Sequence, residues 1–181
     1  MKKFAVIVAV AIICMASVFA TTFNLNAEAT ATPFSFQIIR QDGQRINSKY
    51  GFGGNIAFSF FPNEGALKHA FLGGRVQYAA YSFEALSYHI HNIMAFAELG
   101  NQHDFSDSFH GAVALKGGLD LMIRDGSYKL APAVGGSIGF AANVTDFFTI
   151  NLIEEGIVSV ASRKEAWVKL NTLIGGCINF R

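Results

Sequence analysis

The chain has 181 residues, 51% of them hydrophobic, with 14 Lys or Arg against 13 Asp or Glu and a formal net charge of +1. That balance offers no basic surface for nucleic acid. Past the first twenty residues no apolar run is long enough for a membrane-spanning helix.

The N-terminus carries an export signature. Lys2 and Lys3 precede an uncharged apolar stretch from Phe4 to Phe19, and Val18 and Ala20 are small residues at the −3 and −1 positions of a cleavage site. This is the layout of a signal peptide over residues 1–20, with a second candidate cut after Ala27. An uncleaved anchor is the alternative, but no stop-transfer charges follow. Ile13 stands before Cys14 where a lipidated cysteine follows a small residue, so no lipid anchor is expected. Export leaves Cys177 without a disulfide partner, and it reads as a small buried side chain. Residues 21–33 are assigned to an N-terminal extension and 34–181 to one barrel domain.

From Phe34 onward a two-residue rhythm dominates. Tyr50, Phe52, Ile56, Phe58 and Phe60 share one parity, while Gly51, Gly53, Asn55, Ala57 and Ser59 share the other. Successive strand side chains point to opposite faces, so each such segment is a strand with one apolar and one small or polar face. Eight strands are predicted: 34–40, 49–61, 69–82, 87–99, 108–124, 127–141, 147–161 and 165–180. Most exceed the usual 5–6 residues of a soluble strand and match the roughly 9–11 needed to cross a bilayer at a tilt. Asp125-Gly126, with alternation on both sides, is the strongest hairpin signal. The apolar parity switches there from odd (Val113, Leu115, Leu119) to even (Tyr128, Leu130, Val134), as a two-residue turn requires. The fold class is therefore all-β, an eight-stranded antiparallel up-and-down transmembrane β-barrel.

Aromatic residues orient the barrel. Phe60, Phe71, Phe96, Phe140, Phe148 and Phe180 fall toward one rim, and Tyr50, Tyr78, Tyr88, Tyr128 and Trp167 toward the other. Two belts about one membrane crossing apart are what interfacial anchoring requires. Glu154 and Asn92 share the apolar parity. About eight positions from the Phe rim, they are expected roughly 19 Å into an apolar band about 25 Å tall, near its outer edge.

On this architecture the chain resembles the small eight-stranded outer-membrane proteins of the OmpX, OmpW and OmpA-transmembrane-domain type, over about residues 34–181. Gly139-Phe-Ala-Ala-Asn-Val-Thr-Asp-Phe-Phe is similar to the periplasmic turns of that group. The closing strand, with Leu170, Ile174, Ile178 and Phe180 on one face, is similar to its assembly signal but ends in Arg181 rather than the aromatic. The resemblance implies outer-membrane lipid and the outer-membrane assembly machinery as partners.

The predicted lumen face carries Arg75, Lys116, Asp120, Lys129, Glu155 and Lys169, together with His89, His91 and His110. Eight strands enclose a space that side chains largely fill, so these charges must pair or reach water. Hairpin diagonals predict Asp120 with Lys129 and Glu155 with Lys169. A salt-bridged core is one reading and a narrow conduction path is another. The excess of Lys and Arg would make such a path anion-selective. His89 and His91 offer two imidazoles with no third ligand at recognisable spacing, so no metal is assigned. No cofactor and no catalytic residue is assigned, although Ser87, His89 and His110 contain the residue types of a hydrolase. The expectation is a non-enzymatic outer-membrane barrel with a packed polar lumen, serving envelope structure, contact with a surface ligand of unknown identity, or very narrow permeation. The alternatives are a soluble periplasmic lipocalin-like barrel around an apolar ligand and a barrel enzyme acting on outer-membrane lipid.

Overall fold

A computed structural model of the chain describes residues 20–39, 44–62, 68–83, 86–124, 126–162 and 165–180, with backbone alone at 20–23, 29–39, 44–50, 83, 86–89 and 180. The signal peptide lies outside the described residues. Eight strands follow in order: β1 (Ala20–Ile39), β2 (Gln44–Pro62), β3 (Ala70–Phe83), β4 (Leu86–Ser106), β5 (Phe109–Arg124), β6 (Ser127–Asn143), β7 (Phe148–Ser162) and β8 (Glu165–Phe180). Each pairs antiparallel with its neighbour in sequence, and β1 pairs antiparallel with β8 to close the barrel.

Following paired residues once around the wall gives Asn26, Ala57, Arg75, Phe96, Gly118, Ala133, Ser159, Trp167 and then Gln37. The path returns to β1 eleven positions above its start, one of them belonging to the irregularity between Ala31 and Phe34. Such a stagger over eight strands tilts them steeply to the axis and leaves an interior that side chains fill. The rim where β1 begins and β8 ends is called lower here, and the rim of the Arg124–Ser127 hairpin upper. At that hairpin Arg124 pairs with Ser127 and Gly126 takes φ 76°, a left-handed conformation that glycine adopts without Cβ strain.

The boundaries differ from the sequence reading in two places. Residues 21–33, assigned to an extension, form most of the lower half of β1. The alternation of Asn24, Asn26 and Glu28 with Leu25 and Ala27 is a strand pattern whose apolar members are partly alanine, which weakens the signal. Residues 100–106, assigned to a break, continue β4, and the turn shrinks to Asp107-Ser108.

Outside the barrel, the wall is apolar. Leu115, Phe52, Ile56, Val134, Ile138 and Ile174 all expose more than half of their surface. Inside lie Glu28, Arg75, Glu98, Lys116, Asp120, Glu155 and Lys169, each 5% exposed or less. This is the inverse of a lipocalin-like barrel, whose apolar face would line the cavity and whose charged face would meet water.

Candidate functional site

Among the described residues the lumen holds two charge clusters, one above the other. In the lower one, Arg75 on β3 pairs with Glu28 on β1, donates from Nε to Glu98 on β4 at 2.7 Å and from a terminal nitrogen to Asn55 on β2 at 2.9 Å. Lys116 on β5 bridges the same Glu98 at 3.2 Å and Glu155 on β7 at 2.6 Å. Asn171 on β8 donates to Glu155 at 2.7 Å, and Asn151 donates to Glu28 at 3.3 Å. Polar groups from all eight strands except β6 are thus tied into one chain. Room for Glu28 comes from Gly175 opposite it, where a Cβ would lie 2.6 Å from the Glu28 Cγ and 2.3 Å from the Ala27 carbonyl oxygen.

The upper cluster is smaller. Lys169 pairs with Asp120, which also accepts from Asn92 Nδ2 and Ser159 Oγ, both at 2.6 Å. Tyr81 and Trp167 roof it, with the Lys169 ammonium 5.7 and 5.8 Å from their ring centroids, close enough for cation–π attraction. Gln77, fully buried two positions above Arg75 on β3, has no hydrogen-bond partner for either amide atom.

Open space borders the described residues toward both ends. At the lower end a mouth of about 600 Å³, lined by residues including Lys68, His69, Asp104 and His110, leads to a cavity of about 110 Å³ reaching Arg75 and Glu98. Near the upper rim Lys129, Glu165 and Trp167 border a space of about 130 Å³. Between them lie side chains with no solvent exposure: Gln77, Met94, Ile157, Asp120 and Lys169.

Several expectations need correction. Asp120 meets Lys169 and Glu155 meets Lys116, so neither anticipated diagonal forms. Hairpin neighbours lie side by side on the wall, whereas long side chains cross a narrow lumen to strands several places away. Lys129 sits at the upper rim, 60% exposed, against Glu165. The faces of β4 are the reverse of the reading: His91 points outward and stacks on Tyr78, while Asn92 and Phe96 are buried inside. Trp167 and Phe71 also leave the predicted girdles. Trp167 is 2% exposed within the lumen, and Phe71 bends in over Gly100 to line the lower cavity.

The other described girdle residues lie as follows. Phe140 stacks on Phe109, Phe60 lies edge-on to Phe58, Phe148 packs over Gly176, and Tyr78 and Tyr128 face outward near the other rim. The side chains of Tyr50, Tyr88, Phe180, Ser87 and His89 lie outside the described residues. His110 is half-buried at the lower mouth. Among the described residues no three His, Cys, Asp or Glu side chains converge as a metal site. Glu28 and Glu98 are the two carboxylates missing from the reading; Glu28 alternates with Leu25 and Ala27 in a way that betrays its inward parity, whereas around Glu98 both faces of β4 mix apolar and polar residues.

No protein-family model and no curated protein matches the sequence. Solved structures do match in fold. Neisserial surface protein A superposes with a TM-score of 0.60 at 16% identity, over 87% of this chain and 97% of that one. Ail, the attachment invasion locus protein of Yersinia pestis, gives 0.51 at 13% identity, over 87% and 98%. The chain has the fold of the small eight-stranded outer-membrane β-barrels.

Proposed function

We propose that this is an exported outer-membrane barrel with no chemistry in its lumen. Its work is done by the outer wall and rims, in envelope structure or surface contact, with outer-membrane lipid around it and the outer-membrane assembly machinery as the partner that inserts it. The observation that carries this reading is the sealed middle of the lumen. Every described charged side chain there is held by an opposite charge, and Met94, Ile157 and Lys169 have no solvent exposure. A chain of desolvated ion pairs is a costly plug to open, because each separated charge would be left uncompensated. The fold shared with an attachment protein supports surface contact as one use of the exterior.

Planar-bilayer recording of the reconstituted protein tests the plug. Large porin-like steps should be missing. Any leak should favour cations, since the described lumen sets Glu28, Glu98, Asp120 and Glu155 against Arg75, Lys116 and Lys169. That reverses the anion preference expected from sequence, which omitted two carboxylates and counted Lys129. Large non-selective steps would overturn the proposal. Cell fractionation with heat-modifiable gel migration tests the location, and recovery in the soluble periplasmic fraction would refute it.

A further inference from the structure

We infer that the lower mouth of the barrel is a binding site for a neutral saccharide, a blind cup that holds the end of a sugar chain without passing it on. The mouth, about 600 Å³, lies within the roughly 300–1,000 Å³ usual for small-molecule sites. It meets the inner cavity of about 110 Å³ at a neck formed by the five residues that border both spaces. These are Asn24 on β1, Phe61 on β2, Gln102 on β4, His110 on β5 and Asn179 on β8. Above the cavity Gln77, Met94 and Ile157 have no solvent exposure, so what enters from below has no way upward.

Three of the five are amides, each with a donor and an acceptor side by side, and none is a carboxylate, an ammonium or a guanidinium. Part of the ring is already oriented. Asn143 donates Nδ2 to the Asp107 carbonyl oxygen at 3.1 Å and accepts from Thr149 Oγ1 at 2.8 Å. Asn179 donates Nδ2 to that same hydroxyl at 2.9 Å and accepts from Cys177 Sγ at 3.3 Å, which leaves it one N–H and one lone pair to offer. Gln102 donates Nε2 to Asp104 at 2.9 Å and keeps its carbonyl oxygen as an acceptor. Beside Asn179 the set is incomplete. Asn24, its partner across β1 and β8, has a side-chain oxygen buried without a hydrogen-bond partner. Rotation about the terminal torsion turns that oxygen into the neck, where an entering hydroxyl supplies the missing donor.

The same chemistry sorts the ligands. Lys68 against Asp104 and Asp107 in the mouth gives a phosphate or carboxylate no positive excess to meet. An apolar ligand would find Phe61 and Pro62 among polar neighbours. A peptide enters a blind cup only by its end, and that end is charged. The neck has no opposite charge for it, and Arg75 and Glu98 beyond are engaged with each other. A sugar chain ends in uncharged hydroxyls that donate and accept as the amides do, and the C–H face of its ring packs on an aromatic. Phe61 supplies that face, braced by Phe71 with ring centroids 5.4 Å apart. The inference adds a ligand to the lower rim and stands apart from the contacts proposed for the outer wall.

The test is titration of the isotope-labelled barrel, in a detergent without a sugar headgroup, with maltose and with N,N′-diacetylchitobiose, read on side-chain amide NMR signals. At least one disaccharide should shift the Asn24, Gln102 and Asn179 signals saturably, with a Kd of about 1 mM or below, and leave Asn92 in the upper cluster unmoved. Asn24→Leu and Gln102→Leu should each weaken binding about tenfold, while Lys129→Met at the upper rim should leave it unchanged. Heat-modifiable migration reports that each variant is folded, and the wild-type titrations decide the matter without them. No saturable shift with either sugar, shifts confined to residues away from the neck, or wild-type affinity in folded Asn24→Leu and Gln102→Leu would overturn the inference. So would inorganic phosphate, adenosine or triglycine moving the same signals at lower concentration than either sugar, since the mouth would then select a charge, a base or a peptide end.

Discussion

Among the described residues, five charged side chains from five strands meet in the lower half of the lumen, where Arg75 and Lys116 each hold two carboxylates; in the upper half two charges face each other and neutral donors complete the shell. The lower cluster opens toward a cavity of about 110 Å³, while the upper one is sealed beneath Tyr81 and Trp167. The halves therefore differ in how much depends on one residue. Removing Arg75 strips two buried carboxylates of their guanidinium at once. Removing Lys169 leaves Asp120 with two hydrogen-bond donors still in place.

The largest effect should come from Arg75→Met. Glu28 and Glu98 would remain buried with reduced compensation, and the loss should reach about 3–5 kcal/mol, read as a shift in urea unfolding of the reconstituted barrel. A loss under 1 kcal/mol would mean that water from the lower cavity already solvates the pair.

Lys169→Met should cost less, about 2–3 kcal/mol, because Asn92 and Ser159 still donate to Asp120. Adding Asp120→Asn should recover most of that loss, since removing both charges abolishes the uncompensated one. Strict additivity in this cycle would show that the two groups do not act as a pair.

The smallest effect separates dry from wet in the layer between the clusters. Both amide atoms of Gln77 lack partners, so Gln77→Met should be neutral or stabilise by about 1 kcal/mol in the same unfolding assay. A clear loss of stability would reveal that the amide is hydrogen-bonded by water, and the middle of the plug would then be hydrated.

Strand number, hairpin order and the apolar outer wall were legible from residue order because they are local. A period of two along the chain and a switch of parity at Asp125-Gly126 need only neighbours in sequence. The same rule was available for Glu28, in the alternation of Asn24, Asn26 and Glu28 with Leu25 and Ala27. On β4 it was ambiguous, because both faces mix apolar and polar residues: Ile90, Asn92, Met94, Phe96 and Glu98 against His91, Ile93, Ala95, Ala97 and Leu99.

Closure resolves that ambiguity. Glu98 must face inward once Arg75 and Lys116 lie on the strands beside it, and Asn92 once Asp120 is across from it. Pairing inside the lumen was out of reach of the sequence for the same reason. Lys169 meets Asp120, 49 residues away, because the stagger of eight tilted strands brings β5 and β8 to one level and a narrow barrel lets long side chains span it. The sequence by itself determined that this chain makes eight alternating strands with an apolar outside. Which charges meet within was decided only when the ring closed and fixed every strand's height against the others.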